Sequence, residues 1–148
     1  MGDIKRIVFA VGSGTSRAPM AAGILKSMPE AAGLIVEARG MLVQFSEPLN
    51  QKAEAVMISN GITWENFSSS QLKEEDFSEG TLVFAMDAAG RQKILDSYQN
   101  ATEENTRVLS AFVGDELEIM DPYGGTLQAY GLCFEMLKKS MEKLIKLL

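Results

Sequence analysis

A glycine- and hydroxyl-rich loop that ends in an arginine is the segment of this sequence best equipped to bind an anion. Residues 12–17 read Gly-Ser-Gly-Thr-Ser-Arg and directly follow the apolar run of residues 7–11. Glycines let the backbone curl so that its N–H groups converge, and a helix starting near Pro19 would add its positive end. Arg17 offers a guanidinium that can bind two phosphate oxygens at once. Taken alone, the loop fits a phosphate site and a structural turn with a surface arginine equally well.

Two familiar phosphate motifs can be compared with this loop. A Walker A loop requires Gly-x4-Gly-Lys-Ser/Thr, and that string does not occur in the sequence. The dinucleotide fingerprint Gly-x-Gly-x-x-Gly is met at Gly12 and Gly14 and fails at Arg17, where close helix–strand packing leaves no room for a side chain. Glu37, at the end of a second predicted strand, would then serve as the ribose-binding acid. Nucleotide binding therefore stays open as an alternative.

A second segment with chemical potential lies before the last helix, where Asp121, Pro122 and Tyr123 follow one another. A carboxyl can donate or accept a proton and a phenol ring can line a site, although an ordinary turn uses the same residues. The sequence contains no histidine, which excludes histidine bases, Ser-His-Asp triads and most zinc sites. We expect neither a metal nor a cofactor.

Composition narrows the partners and the compartment. The 148 residues fit one domain, and 46% of them are hydrophobic, enough for one core. A net charge of -6 argues against binding nucleic acid or a membrane surface. The one cysteine, Cys133, allows no internal disulfide, which fits a reducing cytosol, and the apolar run of residues 7–11 is too short for a signal peptide. We therefore expect a single cytoplasmic domain over residues 1–148.

Alternating strands and helices must position the two chemical segments. Apolar runs predict strands, while Pro19, the pair Asn60-Gly61 and apolar residues spaced by three or four indicate helices. In chain order the sequence predicts a strand at 4–11, a helix at 19–28, a strand at 34–38, a helix at 48–60, a polar loop at 64–76, a strand at 81–86, a helix at 88–98, a short strand at 107–109 and a long connection at 110–125. A last helix over 127–148 would bury Leu127, Tyr130, Phe134, Leu137, Met141, Leu144 and Leu148.

This alternation predicts an α/β fold, a three-layer sandwich around a mainly parallel sheet. In such folds ligands bind at the carboxyl ends of the strands, near the point where the strand order reverses. The loop of residues 12–17 follows the carboxyl end of the first strand. We therefore expect this loop at the binding edge of the sheet.

Several of these segments, taken together, resemble the low-molecular-weight protein tyrosine phosphatase family over almost the whole chain. The first loop is similar to the family's signature, in which a cysteine is followed by five residues and an arginine, and Asp121-Pro122-Tyr123-Gly124-Gly125 is similar to its general-acid loop. Weaker matches are Ala38-Arg39-Gly40, Ser70-Gln71-Leu72 and Phe84-Ala85-Met86-Asp87. The resemblance implies the fold of that family and a site that binds phosphate.

The resemblance also implies roles for single residues. In this family a cysteine thiolate attacks the phosphorus, loop amides and the arginine hold the phosphate oxygens, and an aspartic acid protonates the leaving group. By position Arg17 would be the phosphate clamp, Asp121 the general acid and Tyr123 a wall beside the substrate ring. The phosphate would be held by the whole loop, namely Gly12, Ser13, Gly14, Thr15, Ser16 and Arg17.

The nucleophile of this family is missing, because Val11 stands at the cysteine position. The resemblance marks further departures: Ser16 replaces a second cysteine, Ser13 a glycine, Gly14 the asparagine that braces the loop, and Ala18 the hydroxyl that stabilises the thiolate. Cys133 falls in the last helix and is expected to pack in the core. We expect a phosphatase-family protein without cysteine-dependent hydrolysis that binds phosphate, phosphotyrosine or another small oxyanion.

Two further alternatives remain beside nucleotide binding. Ser13, Thr15 or Ser16 could act as a hydroxyl nucleophile in an active phosphatase, although such a hydroxyl needs a base and the sequence offers no histidine, leaving Asp121. The protein could also be a scaffold whose loop stays empty.

Overall fold

The computed structural model describes residues 3–148 as one parallel four-stranded sheet with helices on both faces. The strands are β1 (Arg6–Ala10), β2 (Ile35–Arg39), β3 (Thr81–Ala85) and β4 (Thr106–Val108), in the order β2-β1-β3-β4. The helices are α1 (Arg17–Ser27), α2 (Gln51–Ser59), α3 (Ala88–Ser97), α4 (Leu109–Val113) and α5 (Leu127–Leu147), with 3-10 turns at Pro29–Ala31 and Glu74–Phe77. The predicted α/β fold with a parallel sheet is confirmed.

Alternating side chains of the strands build two cores, because successive residues of a strand point to opposite faces. On one face Phe9 and Phe84 stack with their ring centroids 5.8 Å apart and are covered by residues of α1, α2 and α5. On the other face Val8 and Val83 pack with Ile94 of α3 and with the turn Glu74–Phe77. The outcome is the three-layer arrangement expected from the sequence.

Of the apolar residues that the sequence predicts to be buried in the last helix, those in the middle are buried and the two at the ends are exposed. Of the seven predicted residues, five are buried, namely Tyr130, Phe134, Leu137, Met141 and Leu144. Leu127 and Leu148 are 53% and 39% exposed because α5 extends beyond the layer it packs on at each end. Thr126 caps the helix, accepting the amide hydrogen of Ala129.

The prediction of a long connection over residues 110–125 is wrong at its start, where the chain forms α4. Leu109, assigned from the sequence to a strand, is the first residue of this helix and is completely buried. Phe112 packs edge-on against Phe84 with ring centroids 5.2 Å apart, and Gly114 ends the helix with a φ of +83°. Packing against the core rather than local sequence pattern stabilises this short helix.

The strand order creates a crevice at one edge of the sheet. From β1 the chain continues to β2 at one side of the sheet, and from β3 it continues to β4 at the other side, so the connections after β1 and β3 diverge at their carboxyl ends. Residues 11–16 leave β1 at this edge and Asp87 leaves β3 there. Within residues 3–148, no helix is long and apolar enough to cross a membrane.

Candidate anion-binding site

The carbonyl groups of the loop between β1 and α1 are held by neighbouring backbone amides. Within the loop, Gly14 donates its N–H to the carbonyl of Val11, with an N–O distance of 2.8 Å. The carbonyl of Gly12 accepts from two residues after β2, Met41 at 2.7 Å and Leu42 at 3.2 Å. Further along, the carbonyl of Thr15 accepts from Asn50 at 3.0 Å and that of Ser16 from Met20 at 3.0 Å. Four loop carbonyls are thus fixed from outside or from within the turn.

These contacts set the direction of the loop's amides as well. In a planar trans peptide the C=O bond and the following N–H bond point in opposite directions. Fixing the carbonyls of residues 11, 12, 15 and 16 therefore turns the N–H groups of Gly12, Ser13, Ser16 and Arg17 to the opposite side. Among residues 3–148, none of these four N–H groups has a protein acceptor. Amides without a protein acceptor beside a helix N-terminus are suited to binding an anion.

Two glycines allow the loop to lie directly against the strand end next to it. Gly14 has a φ of +75°, and a Cβ on it would lie 2.7 Å from the backbone nitrogen of Gly40. A Cβ on Gly40 would lie 2.7 Å from the carbonyl carbon and oxygen of Ser13. The loop is thus braced by close backbone contact where the family resemblance implies an asparagine side chain.

Arg17 connects the loop to the segment that contains Asp121. Its Nη1 donates to the carbonyl of Ile119 at 3.1 Å, and its Nη2 lies 3.6 Å from Oδ2 of Asp121. The Arg17 side chain is 10% exposed, whereas that of Asp121 is 58% exposed. The structure therefore brings together the two charged residues singled out from the sequence, although they are 104 positions apart.

The position of the missing nucleophile is occupied by an isopropyl group. Val11 is half-buried, packs against the main core and lines the crevice beside Gly12 and Ser13. Ala18 is completely buried and offers no hydroxyl. Ser13 Oγ and Thr15 Oγ1 lie 2.9 Å apart and bond to each other, and the Ser16 side chain makes no capping bond to α1. The loop thus presents hydroxyl and amide donors, with a valine in place of a thiol at position 11.

The loop forms one wall of a cleft of about 640 Å³ at the carboxyl edge of the sheet. Met41 and Leu42, from the segment after β2, form part of a second wall. The start of α3 contributes the rest, with Asp87, Gly90 and Lys93 among its residues. A volume of this size is in the usual range for small-molecule sites, about 300–1,000 Å³.

Tyr123 lies outside this cleft lining in the part of the chain that the structure describes. Its side chain is 83% exposed, and its backbone N–H donates to Oδ1 of Asp121 at 3.1 Å. Nearby, Lys52 donates to the carbonyl of Gly125 at 2.6 Å and ties this segment to α2. The role of Tyr123 as a wall beside a substrate ring stays a prediction.

Cys133 is buried beneath the segment that contains Asp121. Its thiol donates to the carbonyl of Met120 with an Sγ–O distance of 3.6 Å. Burial raises the pKa of the Cys133 thiol to about 11, while the charge of Arg17 lowers it and that of Asp121 raises it. The thiol is therefore protonated at neutral pH, which makes it a poor nucleophile. The expectation that it packs in the core is confirmed.

Sequence reasoning gave no individual role to three polar residues around the cleft, although two of them, Asp87 and Gln71, lie in segments matched to the family. Asp87 caps α3 by accepting the N–H of Gly90 at 2.6 Å, and an aspartate just before a predicted helix was a usable signal. Glu118 accepts the N–H of Ala88 at 2.8 Å and so bridges to α3 from the segment before Asp121. Gln71 bonds to the segment after β2. The last two contacts span about 30 residues, and no local pattern predicts them.

Known proteins are similar to this chain in sequence and in fold over nearly its full length. A model of the low molecular weight phosphotyrosine protein phosphatase family matches residues 6–148. The protein-arginine-phosphatase of Geobacillus stearothermophilus is 30% identical over 140 residues, covering 94% of this chain and 93% of that protein. The low molecular weight protein-tyrosine-phosphatase PtpB of Staphylococcus haemolyticus is 27% identical over 141 residues, covering 94% of this chain and 96% of that protein.

Solved structures lead to the same conclusion. The low molecular weight protein tyrosine phosphatase from T. tengcongensis superposes with a TM-score of 0.88 at 30% identity, covering 97% of this chain and 99% of that one. The YwlE arginine phosphatase from Geobacillus stearothermophilus superposes with a TM-score of 0.86 at 30% identity, covering 96% and 91%. Because the family model matches nearly the whole chain and the fold agrees, this chain belongs to the low molecular weight phosphotyrosine protein phosphatase family.

Proposed function

We propose that this protein binds phosphoryl groups through the loop of residues 12–17 and does not hydrolyse them by the cysteine-dependent route of its family. The observation that carries the proposal is the loop itself: four of its amides have no acceptor among residues 3–148, and Arg17 lines the same cleft as Val11, which stands at the position of the family's nucleophile. The amides supply neutral donors and Arg17 supplies the charge. Because the donors are kept and the sulfur is lost, binding without turnover is the function that this arrangement supports best.

Other features of the site argue against a substitute nucleophile. The hydroxyls of Ser13 and Thr15 bond to each other, and among residues 3–148 neither has a carboxylate partner that would act as a base. The carboxylate of Asp121 forms an ion pair with the guanidinium of Arg17. The Cys133 thiol is buried and held in its protonated form. An active phosphatase would therefore need a rearranged loop, which makes that alternative the weaker one.

The nucleotide alternative depends on Glu37, and the structure gives that residue another partner. The Glu37 carboxylate accepts from Nη1 of Arg39 at 3.0 Å, within β2. Glu37 is not among the residues of the described chain that line the cleft. A ribose in the cleft would therefore lack the acid that the fingerprint requires.

The relatives suggest which phosphoryl compounds to test. Members of this family are named for phosphotyrosine, and two similar proteins, from Geobacillus stearothermophilus and Bacillus subtilis, are named protein-arginine-phosphatase. We therefore include phosphoarginine beside phosphate, phosphotyrosine and other small oxyanions. The cleft exceeds what a phosphate ion alone fills, since it continues past the loop along α3 to Lys93.

Titration calorimetry with inorganic phosphate, sulfate, phosphotyrosine and phosphoarginine tests the proposal. We expect saturable binding of at least one of them, and about a tenfold or larger loss of affinity in Arg17→Ala, because a hydrogen bond to a charged group contributes about 1.5–3 kcal/mol. Arg107→Ala, which lies outside the cleft lining, is the matched control and should bind like the natural protein. Failure of all four compounds to bind would favour an empty scaffold, and equal binding by Arg17→Ala would show that the ligand is not held by this arginine.

Activity measurements separate binding from hydrolysis. We expect no turnover of p-nitrophenyl phosphate above the background of a matched blank. Hydrolysis that disappears in Asp121→Ala, or phosphate trapped on Ser13, Thr15 or Ser16, would show an active enzyme with another nucleophile. Thermal melts with NAD and nucleotides address the remaining alternative, and we expect no stabilisation.

A further inference from the structure

Gln71 lies outside the cleft lining yet holds the segment on which the anion loop rests. Its side-chain Oε1 accepts the N–H of Val43 at 2.8 Å, and its Nε2 donates to the carbonyl of Met41 at 2.9 Å. The side-chain amide of Gln71 therefore bonds to this segment at two residues, one before and one after Leu42. Between the two clamped residues, Leu42 is held only through its neighbours and its bond to Gly12.

The clamped segment makes the contact that aims one amide of the loop. Met41 and Leu42 both donate to the carbonyl of Gly12, and this carbonyl fixes the peptide plane that carries the N–H of Ser13. Residues 41–50 contain no helix or strand. An isolated backbone bridge holds Gly40 directly before them, through bonds to the carbonyl of Ser70 and the N–H of Leu72. Beyond Gly40 no regular element continues, and the side chain of Gln71 supplies the restraint at Met41 and Val43.

The side chain of Gln71 is itself held in place by Tyr98. Nε2 of Gln71 also donates to Oη of Tyr98 at 3.1 Å, and this hydroxyl donates to the carbonyl of Leu72 at 2.6 Å. The Tyr98 ring packs against Phe77 with centroids 5.3 Å apart. All the polar atoms of the Gln71 amide are used, which leaves that side chain one orientation.

We propose that Gln71 is a positioning residue for anion binding: it sets the affinity of the loop by holding Met41 and Leu42 against the carbonyl of Gly12. This inference rests on the proposed function, since it concerns the same loop. It assigns part of the ligand affinity to a side chain more than 50 positions away from the loop that does not line the cleft. Pre-organised donors bind an anion without first having to be ordered, and loosening them lowers affinity.

The test compares Gln71→Leu, which removes both clamps at similar size, with Gln92→Leu, an exposed glutamine of α3 that bonds only to Asp96. Calorimetry with inorganic phosphate at a temperature where all variants are folded should give about a tenfold weaker affinity for Gln71→Leu and no change for Gln92→Leu. Gln71→Glu keeps an acceptor for Val43 and loses the donor to Met41, so it should fall between the two. A role confined to stability would lower the unfolding midpoint and leave the phosphate affinity unchanged.

Amide hydrogen exchange provides a readout that does not depend on a ligand. We expect faster exchange at Met41 and Leu42 in Gln71→Leu, with the amides of β1 unaffected. If the natural protein binds no oxyanion, the proposed function fails, and unchanged exchange at these two amides overturns the positioning role separately. If phosphate binds and Gln71→Leu binds equally well, the positioning role alone is wrong. Should Gln71→Leu not fold, Tyr98→Phe replaces it, and unchanged affinity and exchange there overturn the proposal.

Discussion

Val11 is the residue on which the proposed loss of cysteine-dependent hydrolysis depends. The residue lines the cleft beside loop amides that have no protein acceptor. Its sequence position identified it at once, because a valine in a cysteine signature is visible without a structure. The structure adds that Ala18 behind the loop is completely buried, so no hydroxyl can reach a thiolate from that position.

Restoring the sulfur alone is therefore expected to restore little activity. In Val11→Cys the thiol would lack the hydroxyl at position 18 and the asparagine at position 14, and the loss of one such donor costs about a hundredfold or more. We expect p-nitrophenyl phosphate turnover at most about a hundredth of that of the Geobacillus stearothermophilus relative assayed alongside. The double variant Val11→Cys with Ala18→Ser should exceed Val11→Cys. Activity in Val11→Cys equal to that of the relative would show that the surrounding donors are not needed.

The buried thiol of Cys133 predicts a loss of stability in alkali. Its pKa is about 11 in the folded protein against an ordinary value of 9.0, so the unfolded chain releases this proton first. The contribution to stability is complete below pH 9 and is lost as the pH rises through 11, by about 3 kcal/mol in all. Urea unfolding at pH 8 and pH 10.5 should show a larger drop for the natural protein than for Cys133→Ala. Equal drops would place the titrating group elsewhere.

At the scale of elements, apolar runs and helix signals were sufficient to predict most of the fold. The four strands and the helices α1, α2, α3 and α5 lie within a few residues of their predicted bounds, because hydrophobic pattern and capping are local properties. The helix α4 was missed because its five residues carry no periodic pattern and are stabilised by packing. The clamp by Gln71 was missed for a similar reason, since its partners lie about 30 residues away.

The close contact between Gly14 and Gly40 could not be predicted from local sequence either. It predicts that a side chain at position 14 destabilises the protein. Gly14→Ala places a methyl group 2.7 Å from a backbone nitrogen at a φ of +75°, which an alanine adopts at a cost of about 1–3 kcal/mol. We expect a lower free energy of unfolding in urea and a loss of phosphate binding. Gly12→Ala is the matched control, because its φ is +45° and no atom lies within 4 Å of the added carbon. Equal effects of the two variants would mean that the backbone angle alone matters.

At the scale of the whole molecule, the parallel sheet brings distant segments to one edge. Arg17 and Ile119 are 102 positions apart and share a hydrogen bond, since α5 and the segment before it return to the layer that contains α1. The sequence predicted both segments as functional, and the resemblance to a family implied their proximity. Their actual contacts depend on the path of the chain through α4, which local sequence did not reveal.

A buried cluster of charges connects the sheet to the turn Glu74–Phe77 on its other face. Oδ1 of Asp76 lies 2.6 Å from Nη2 of Arg6, at the start of β1, and its Oδ2 lies 3.4 Å from Nε of Arg39, at the end of β2. Asp76 is 4% exposed. Its carboxylate thus joins two strands to the turn that covers them.

Removing this carboxylate should destabilise the fold as a whole. In Asp76→Ala two guanidinium groups lose their shared partner in a largely buried setting, and we expect about 3 kcal/mol less free energy of unfolding in urea. Glu75→Ala, an exposed neighbour in the same turn, should change it by less than about 0.5 kcal/mol. A small effect of Asp76→Ala would indicate that water solvates the two arginines once the carboxylate is gone.

The side chain of Val11 also determines what happens to a captured ligand over time. An active phosphatase releases its substrate as products, so the length of the encounter is limited by chemistry. If the loop binds phosphoryl groups without hydrolysing them, as proposed, a bound group leaves in the form in which it arrived, and the dissociation rate alone sets how long it stays. The proposed function therefore implies that the loop would shield a bound phosphoryl group from other enzymes for that time.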